Sequence, residues 1–331
     1  MIALGWASAA IAGGFEVAQQ SAVAGGTGHA STARDDDAGA AWFVPAALAD
    51  DDGLRIAVGA AVASSTIRAA ATDDAGWDLR SDNPLGTPPH LYASWAGHHV
   101  LVGVAANAPF AGGVRWPADS PLRFDDLETT PTFFRIAPFL GAGFGPVRIA
   151  AGPHVDVGSL FVHQATDHVT EEGDAQILLR GSGIGADLSV FVHAGPASIG
   201  LSYKSRTTLP LSGEADFDVP VAFAHQLPDQ TVSSRWTLPD RLALGEVLAV
   251  GPVDVLFDQV LTVWSVNDAL TIDFADPVTA DVTQQNQWQD ALALRLGAEL
   301  GVAGIATVRA GGYVDGLGLD GRGPAIVPAE T

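Results

Sequence analysis

Between Ile199 and Arg206, apolar and polar positions alternate. Ile199, Leu201 and Tyr203 fall on one side, and Gly200, Ser202, Lys204 and Arg206 on the other. Successive side chains of a β-strand point to opposite faces. The spacing therefore predicts a strand with one face in apolar surroundings and the only lysine of the chain on the other, with an arginine two residues on. The pattern recurs from Ala291 to Val302, where Leu292, Leu294, Leu296, Ala298, Leu300 and Val302 oppose Ala291, Ala293, Arg295, Gly297, Glu299 and Gly301. Val147, Ile149, Ala151, Val155, Val157 and Phe161 oppose Arg148, Gly152, His154, Asp156 and Gly158, and Val253, Val255, Phe257, Leu261 and Val263 oppose Asp254, Asp258 and Thr262. A soluble β-sandwich alternates in the same way, so each segment alone says little. Recurrence along the whole chain, with no segment approaching the ~20 apolar residues of a membrane helix, favours a transmembrane, antiparallel, up-and-down β-barrel.

The pattern predicts about twelve strands: Leu54–Ala71, His90–Trp95, His99–Pro109, Pro131–Phe144, Val147–Gln164, Gln176–His193, Ala197–Leu211, Thr231–Leu238, Arg241–Val250, Val253–Val266, Trp288–Leu300 and Gly304–Asp315. Connections alternate between short ones such as Gly145-Pro146 and Gly195-Pro196 and long polar ones such as Thr72–Pro89 and Asp273–Gln287, the asymmetry of such barrels. Gly13 to Asp52 is rich in small residues and poor in alternation, and reads as compact irregular structure with a helical turn. His98 and His99, as neighbours on a strand, would point to opposite faces.

Composition fits this picture. No linker or shift in composition divides the 331 residues, so one domain is expected. Charged residues make up only 16% of the chain against 47% apolar ones, unusual at a net charge of −22, so much apolar surface must face something other than water. The acids cluster in turn-like runs such as Asp35–Asp37, Asp50–Asp52, Asp73-Asp74, Asp125-Asp126 and Glu171-Glu172, which suit solvated loops, cation bridging to an anionic surface, or a calcium site. Such acidity argues against nucleic acid. There is no cysteine, no HExxH or HxH spacing, no phosphate-binding glycine loop and no GxSxG elbow. Neither an enzyme, a metal site nor a cofactor is expected. The first dozen residues, MIALGWASAAIA, end in an Ala-x-Ala pattern at Ala10 and Ala12 and look like the remnant of a secretory signal at 1–12.

A set of ordered blocks then resembles the FadL/TodX family of outer-membrane transporters for long-chain fatty acids and aromatic hydrocarbons. The blocks are GGFEV with the small-residue stretch to Val44-Pro45-Ala46, then Ala108-Pro109-Phe110, GLSYKSR with LSGEADF, Leu238-Pro239-Asp240 with Leu244-Gly245, Trp264-Ser265, and Trp288 ahead of Leu296-Gly297. The resemblance implies a fourteen-stranded barrel plugged by an N-terminal hatch at 13–48, with 49–331 forming the barrel. It further implies passive transport. Hydrophobic small molecules would be captured on the extracellular side and released laterally where the third strand kinks. Outer-membrane lipid and lipopolysaccharide would surround the barrel, barrel-assembly machinery would insert it, and it would act as a monomer without nucleic-acid partners.

Carried onto this chain, the kink falls at Asn107, Ala108, Pro109, Phe110, Gly112 and Gly113. Proline lacks the ladder donor and glycine weakens a strand, so this composition can interrupt a wall unaided. Phe15, Trp42, Phe43 and Phe110 would contact substrate, or merely hold the hatch. Lys204 and Arg206, inward by parity, would hold a fatty-acid carboxylate, or pair with lumen charges and with Asp35–Asp37. Two departures stand out: Val44 occupies a position where the family often has asparagine, and the chain ends at Thr331 about two strands short, as expected of a barrel cut at its C-terminal end. A structural or adhesive barrel without transport, and a periplasmic or secreted β-sandwich, are the alternatives.

Overall fold

A computed structural model of the chain describes residues 15–50, 52–71, 76–168, 171–286, 288–302 and 305–318. Expectations for the signal remnant at 1–12 and for the chain after residue 318 lie outside them. The N-terminal part holds the short helices α1 (Ala22–Gly26) and α2 (Ala40–Phe43), followed by a 3-10 turn at Pro45–Asp50. The strands follow as β1 (Gly53–Ala60), β2 (Arg68–Ala70), β3 (Asp78–Arg80), β4 (Pro89–Gly97), β5 (Val100–Ala111), β6 (Val114–Arg115), β7 (Glu128–Phe144), β8 (Val147–Asp167) and β9 (Glu172–Ala194). After these come β10 (Ala197–Lys204), β11 (Thr207–Asp218), β12 (Gln230–Leu238), β13 (Arg241–Val250), β14 (Val253–Thr262), β15 (Ala269–Phe274), β16 (Val282–Gln285), β17 (Ala291–Val302) and β18 (Ala306–Gly318).

All but β2 and β3 belong to one antiparallel sheet, whose neighbours run β1-β4-β5-β7-β8-β9-β10-β13-β14-β17-β18. β11, β12, β15 and β16 pair among themselves and with β9, as a second tier beyond β10, β13, β14 and β17. This is an antiparallel β-barrel wall in which successive wall positions, some carrying two strands in tandem, pair side by side.

Turn chemistry sets the register. Gly145-Pro146, Gly195-Pro196 and Gly251-Pro252 each place glycine at φ 61 to 62° and follow it with proline, whose fixed negative φ gives the sign pattern of a type II′ hairpin turn. His98 and His99 do not lie on a strand. Both sit at positive φ, 53 and 66°, and form the two-residue turn between β4 and β5.

The outer face is apolar where the alternation predicts it. Ile199, Leu201 and Tyr203 on β10 and Leu296 on β17 are exposed, while Arg295 is buried and Glu299 turns inward to Arg34. Three strand expectations are corrected. Leu54–Ala71 is not one strand, because β1 ends at Ala60 and Arg68–Ala70 pairs with Asp78–Arg80 in a separate ribbon. Thr231–Leu238 and Arg241–Val250 are two tiers of one wall position, interrupted at Pro239 and Asp240 rather than joined by a turn. The stretch Asp273–Gln287, expected as loop, carries the end of β15 and all of β16.

The N-terminal segment packs against buried residues of the wall strands from β4 to β18. Ser21 caps α1 by accepting from the Val23 and Ala24 amides. The Asp258 carboxylate accepts from the Ser31 and Thr32 amides, both at 2.9 Å, and from the Thr32 hydroxyl at 2.6 Å. Arg34 bridges to Glu299, Arg148 donates to the Ala47 carbonyl, and the Ser189 hydroxyl accepts from the Ala46 amide. Glycine makes room for this contact: a Cβ on Gly200 would stand 1.8 Å from the Thr32 carbonyl oxygen, and one on its neighbour Gly245 would stand 2.7 Å from Thr32 Cβ. Gly200→Ala is therefore expected to lift the segment off the wall. Hydrogen exchange at the Ser31 and Thr32 amides should accelerate at least tenfold, about 1.4 kcal/mol. Unchanged protection there would show that the segment does not rest on this strip.

Candidate functional site

β5 is the third strand of the wall, and its end is broken. It pairs with β4 and β7 as far as Asn107, loses register at Ala108 and Pro109, and regains β7 at Phe110 and Ala111. Gly112 and Gly113 follow at φ 142 and 137°, a backbone region closed to most side chains. The freed groups go to the N-terminal segment. The Val17 amide donates to the Pro109 carbonyl at 2.8 Å, the Ala111 amide donates to the Phe15 carbonyl at 3.0 Å, and Glu16 forms a β-bridge with Phe110. Gln20 completes the clamp, donating to the Ala108 carbonyl at 3.0 Å and accepting from the Asn107 side-chain amide at 2.7 Å, while the Tyr92 hydroxyl donates to its carbonyl. The ladder to β7 shifts register over these two residues, whose carbonyls are answered from the N-terminal segment instead.

Beside this break six aromatic rings meet. Phe15 lies 6.2 Å from Trp236 and 5.7 Å from Trp288; Phe110 stands edge-on to Trp264 at 5.5 Å; Trp288 stands edge-on to Trp264 at 5.5 Å and to Trp236 at 6.0 Å; Phe133 lies 5.6 Å from Trp236. Leu160, Leu209, Leu211 and Leu238 continue this apolar core. Edge-to-face rings at such distances attract through their quadrupoles.

Below the rings the lumen is charged. The Glu16 carboxylate accepts from Arg241 Nε and from the Thr262 hydroxyl, both at 3.0 Å, with Arg295 at 3.9 Å. Across the lumen Arg135 grips Asp156 through two bonds of 2.8 Å, and His154 joins Asp187 at 2.8 Å and Thr207 at 2.7 Å.

The sequence-derived candidates divide. Phe15 and Phe110 belong to the aromatic cluster. Trp42 and Phe43 are buried where the segment meets β4, β5 and β7. Lys204 does point inward, 3% exposed, but its ammonium sits 3.5 Å from Asp187 and 4.4 Å over the Trp42 ring, so it is already engaged. Arg206 is a correction. The chain breaks at Ser205 and Arg206, period two is lost, and the Arg206 side chain is 56% exposed and bonded to Asp240 at 2.7 Å. Asp35 and Asp36 are answered by Arg148 and Arg34, and Asp37 accepts from the Ser21 hydroxyl, so Lys204 has no share in them. Phe133, Trp236, Gln20 and Glu16 were not anticipated: aromatic residues on two distant strands, β7 and β12, carry no local signal, and Glu16 and Gln20 acquire partners only in the fold.

No family model matches the sequence, and no curated protein is recognisably similar to it in sequence. Solved structures are similar in fold. A Pseudomonas aeruginosa FadL homologue superposes with a TM-score of 0.75 at 14% identity, covering 91% of this chain and 81% of its own. The Ralstonia pickettii toluene transporter TbuX gives 0.73 at 18% identity over 88% and 85%, and the P. putida toluene transporter TodX gives 0.73 at 16% over 88% and 81%. The chain thus has the barrel fold of the FadL/TodX transporters.

The break in β5 depends on Gly113, where a Cβ would lie 2.1 Å from the Thr129 carbonyl oxygen in addition to the positive φ. Gly113→Ala is expected to destabilise the folded protein by about 1–3 kcal/mol, measured as a lower denaturant midpoint in detergent. An unchanged midpoint would mean that the break is not held in this shape.

Proposed function

We propose that the protein is a passive outer-membrane transporter of small hydrophobic molecules, with neutral aromatic hydrocarbons as its best-suited class. The carrying observation is the six-ring cluster set against the broken third strand. Two further features support it: the apolar outer face, and fold relatives named as toluene transporters. Among the described residues no helix is long and apolar enough to cross a membrane, so the wall strands would do the crossing. In this reading Phe15, Phe110, Phe133, Trp236, Trp264 and Trp288 hold the ligand by shape and ring contact. Trp42, Phe43 and Lys204 fasten the N-terminal segment as a plug over 13–48. A neutral ligand suits this lumen better than a fatty acid, since Lys204 is held by Asp187 and Trp42. Capture takes place on the extracellular side, and the protein works as a monomer.

Release would follow the gap at Ala108 and Pro109, where wall bonds to β7 are missing. An apolar solute is more stable in lipid than in water by about 0.8 kcal/mol per methylene, which makes the membrane the natural destination. The test is uptake of labelled toluene and oleate by cells with and without the protein, with Pro109→Val plus Gly112→Val as the exit variant. Toluene uptake should require the protein. In the variant it should fall several-fold while toluene binding to the purified protein persists. Equal uptake with and without the protein would contradict transport, and undiminished uptake by a folded variant would contradict this exit.

A further inference from the structure

Four neighbouring wall strands are interrupted side by side. β10 stops at Lys204 before β11 begins at Thr207, and β12 stops at Leu238 before β13 begins at Arg241. β14 stops at Thr262, followed by a 3-10 turn at Trp264–Val266, and β16 stops at Gln285 before β17 begins at Ala291. Lys204, Arg241, Thr262 and Ala291 are successive Cα partners, so the interruptions form one line across the wall. On the other side β7, β8 and β9 continue without a break for 17, 21 and 23 residues.

Along this seam the ladder is replaced by side chains. Asp240 accepts from the Arg206 amide at 2.9 Å, from Arg206 Nε at 2.7 Å and from the Tyr203 hydroxyl at 2.7 Å. Asn267 accepts from the Thr237 amide at 3.2 Å and donates back to the Thr237 carbonyl. Asp290 accepts from the Ser265 amide at 3.0 Å. Each of the three stands in the break of one strand and grips the strand before it, a contact that can part without unzipping either tier.

The seam also falls where the outer face changes character. Leu201, Tyr203 and Leu242 are exposed below it, and Thr208, Ser212 and Arg235 above it. The strands below are 8, 10, 10 and 12 residues long, close to the ~9–11 residues of one membrane crossing. Behind the seam lie Trp264, buried, and Trp288, only partly buried, each in ring contact with the lumen cluster. Trp264 in turn touches Phe110 at the broken third strand.

We propose that this seam is a lateral inlet, through which a small neutral aromatic molecule dissolved at the outer surface of the membrane passes between the two tiers to the ring cluster, with Trp288 as a movable stopper. The inlet rests on the reading of the lumen as a ligand site. Apolar solutes concentrate in lipid rather than in water, so an opening at the membrane surface draws on the richer source. From the seam the route to the third-strand gap crosses only the aromatic cluster.

The chain contains no cysteine, so engineered pairs can lock the seam without side reactions. Thr237→Cys with Asn267→Cys, and separately Arg206→Cys with Asp240→Cys, place thiols across two of the three clasps. With the disulfide formed, toluene uptake by cells should fall at least fivefold for one or both pairs and recover on reduction. Quenching of tryptophan fluorescence by toluene in the purified, oxidised protein should reach the same equilibrium amplitude as in the reduced protein. Uptake indifferent to both locks, with binding intact, would overturn the inlet alone; failure of both pairs to cross-link would overturn it too, by showing that the seam residues are not apposed. Absence of toluene binding in every state would remove the ligand reading, and the inlet with it.

Discussion

The wall is one strand thick, and each strand must satisfy apolar surroundings on one face and a filled, polar interior on the other. Period two is the only strand geometry that does this, and the rest of the structure follows from how strictly the sequence keeps it. On β10 and on β17 as far as Ala298 the odd and even positions separate, apolar residues outward and glycine, serine, lysine and arginine inward. Where parity is kept the wall is continuous. Where it is lost, at Ala108-Pro109 and along the line from Ser205 to Asp290, the ladder gives way to side-chain contacts.

The interior is shaped by the same constraint. Buried backbone and charge need partners, and the N-terminal segment supplies them: amides of Ser31 and Thr32 for Asp258, Glu16 for Arg241, Gln20 for the broken strand. Glycines at the wall let this segment come close enough to bond. The aromatic cluster lies beside both breaks, with Phe110 and Phe15 at the third strand and Trp264 and Trp288 at the seam.

Much of the fold was legible in the sequence, because alternation and turn chemistry are local. The leucines of β17, the Gly-Pro turns and the irregular segment before Gly53 stand where they were expected. A register shift between Asn107 and Phe110 falls where proline enters the strand pattern. Parity failed at Arg206 because a two-residue interruption leaves no trace in hydrophobicity, and Pro239-Asp240 reads equally well as a turn. The candidate site was half visible. Phe15, Phe110, Trp264 and Trp288 sit in recognisable blocks, but Phe133 and Trp236 do not, and the meeting of all six depends on the pairing of distant strands, which no window of sequence reports. Lys204 was correctly placed inward, while its engagement by Asp187 and Trp42 depends on two other elements.

On β10 and β13 the apolar outer face gives way to polar residues at the seam. A single cysteine placed in turn at each position from Ala197 to Asp218, in protein reconstituted into lipid bilayers, lets a spin label there report its access to lipid-soluble oxygen and to a water-soluble nickel complex. Oxygen access should peak at Ile199, Leu201 and Tyr203 with period two, and the outward positions from Thr208 onward should switch to nickel access. Shielding of Ile199, Leu201 and Tyr203 from both probes, as inside a closed core between two sheets, would contradict the account.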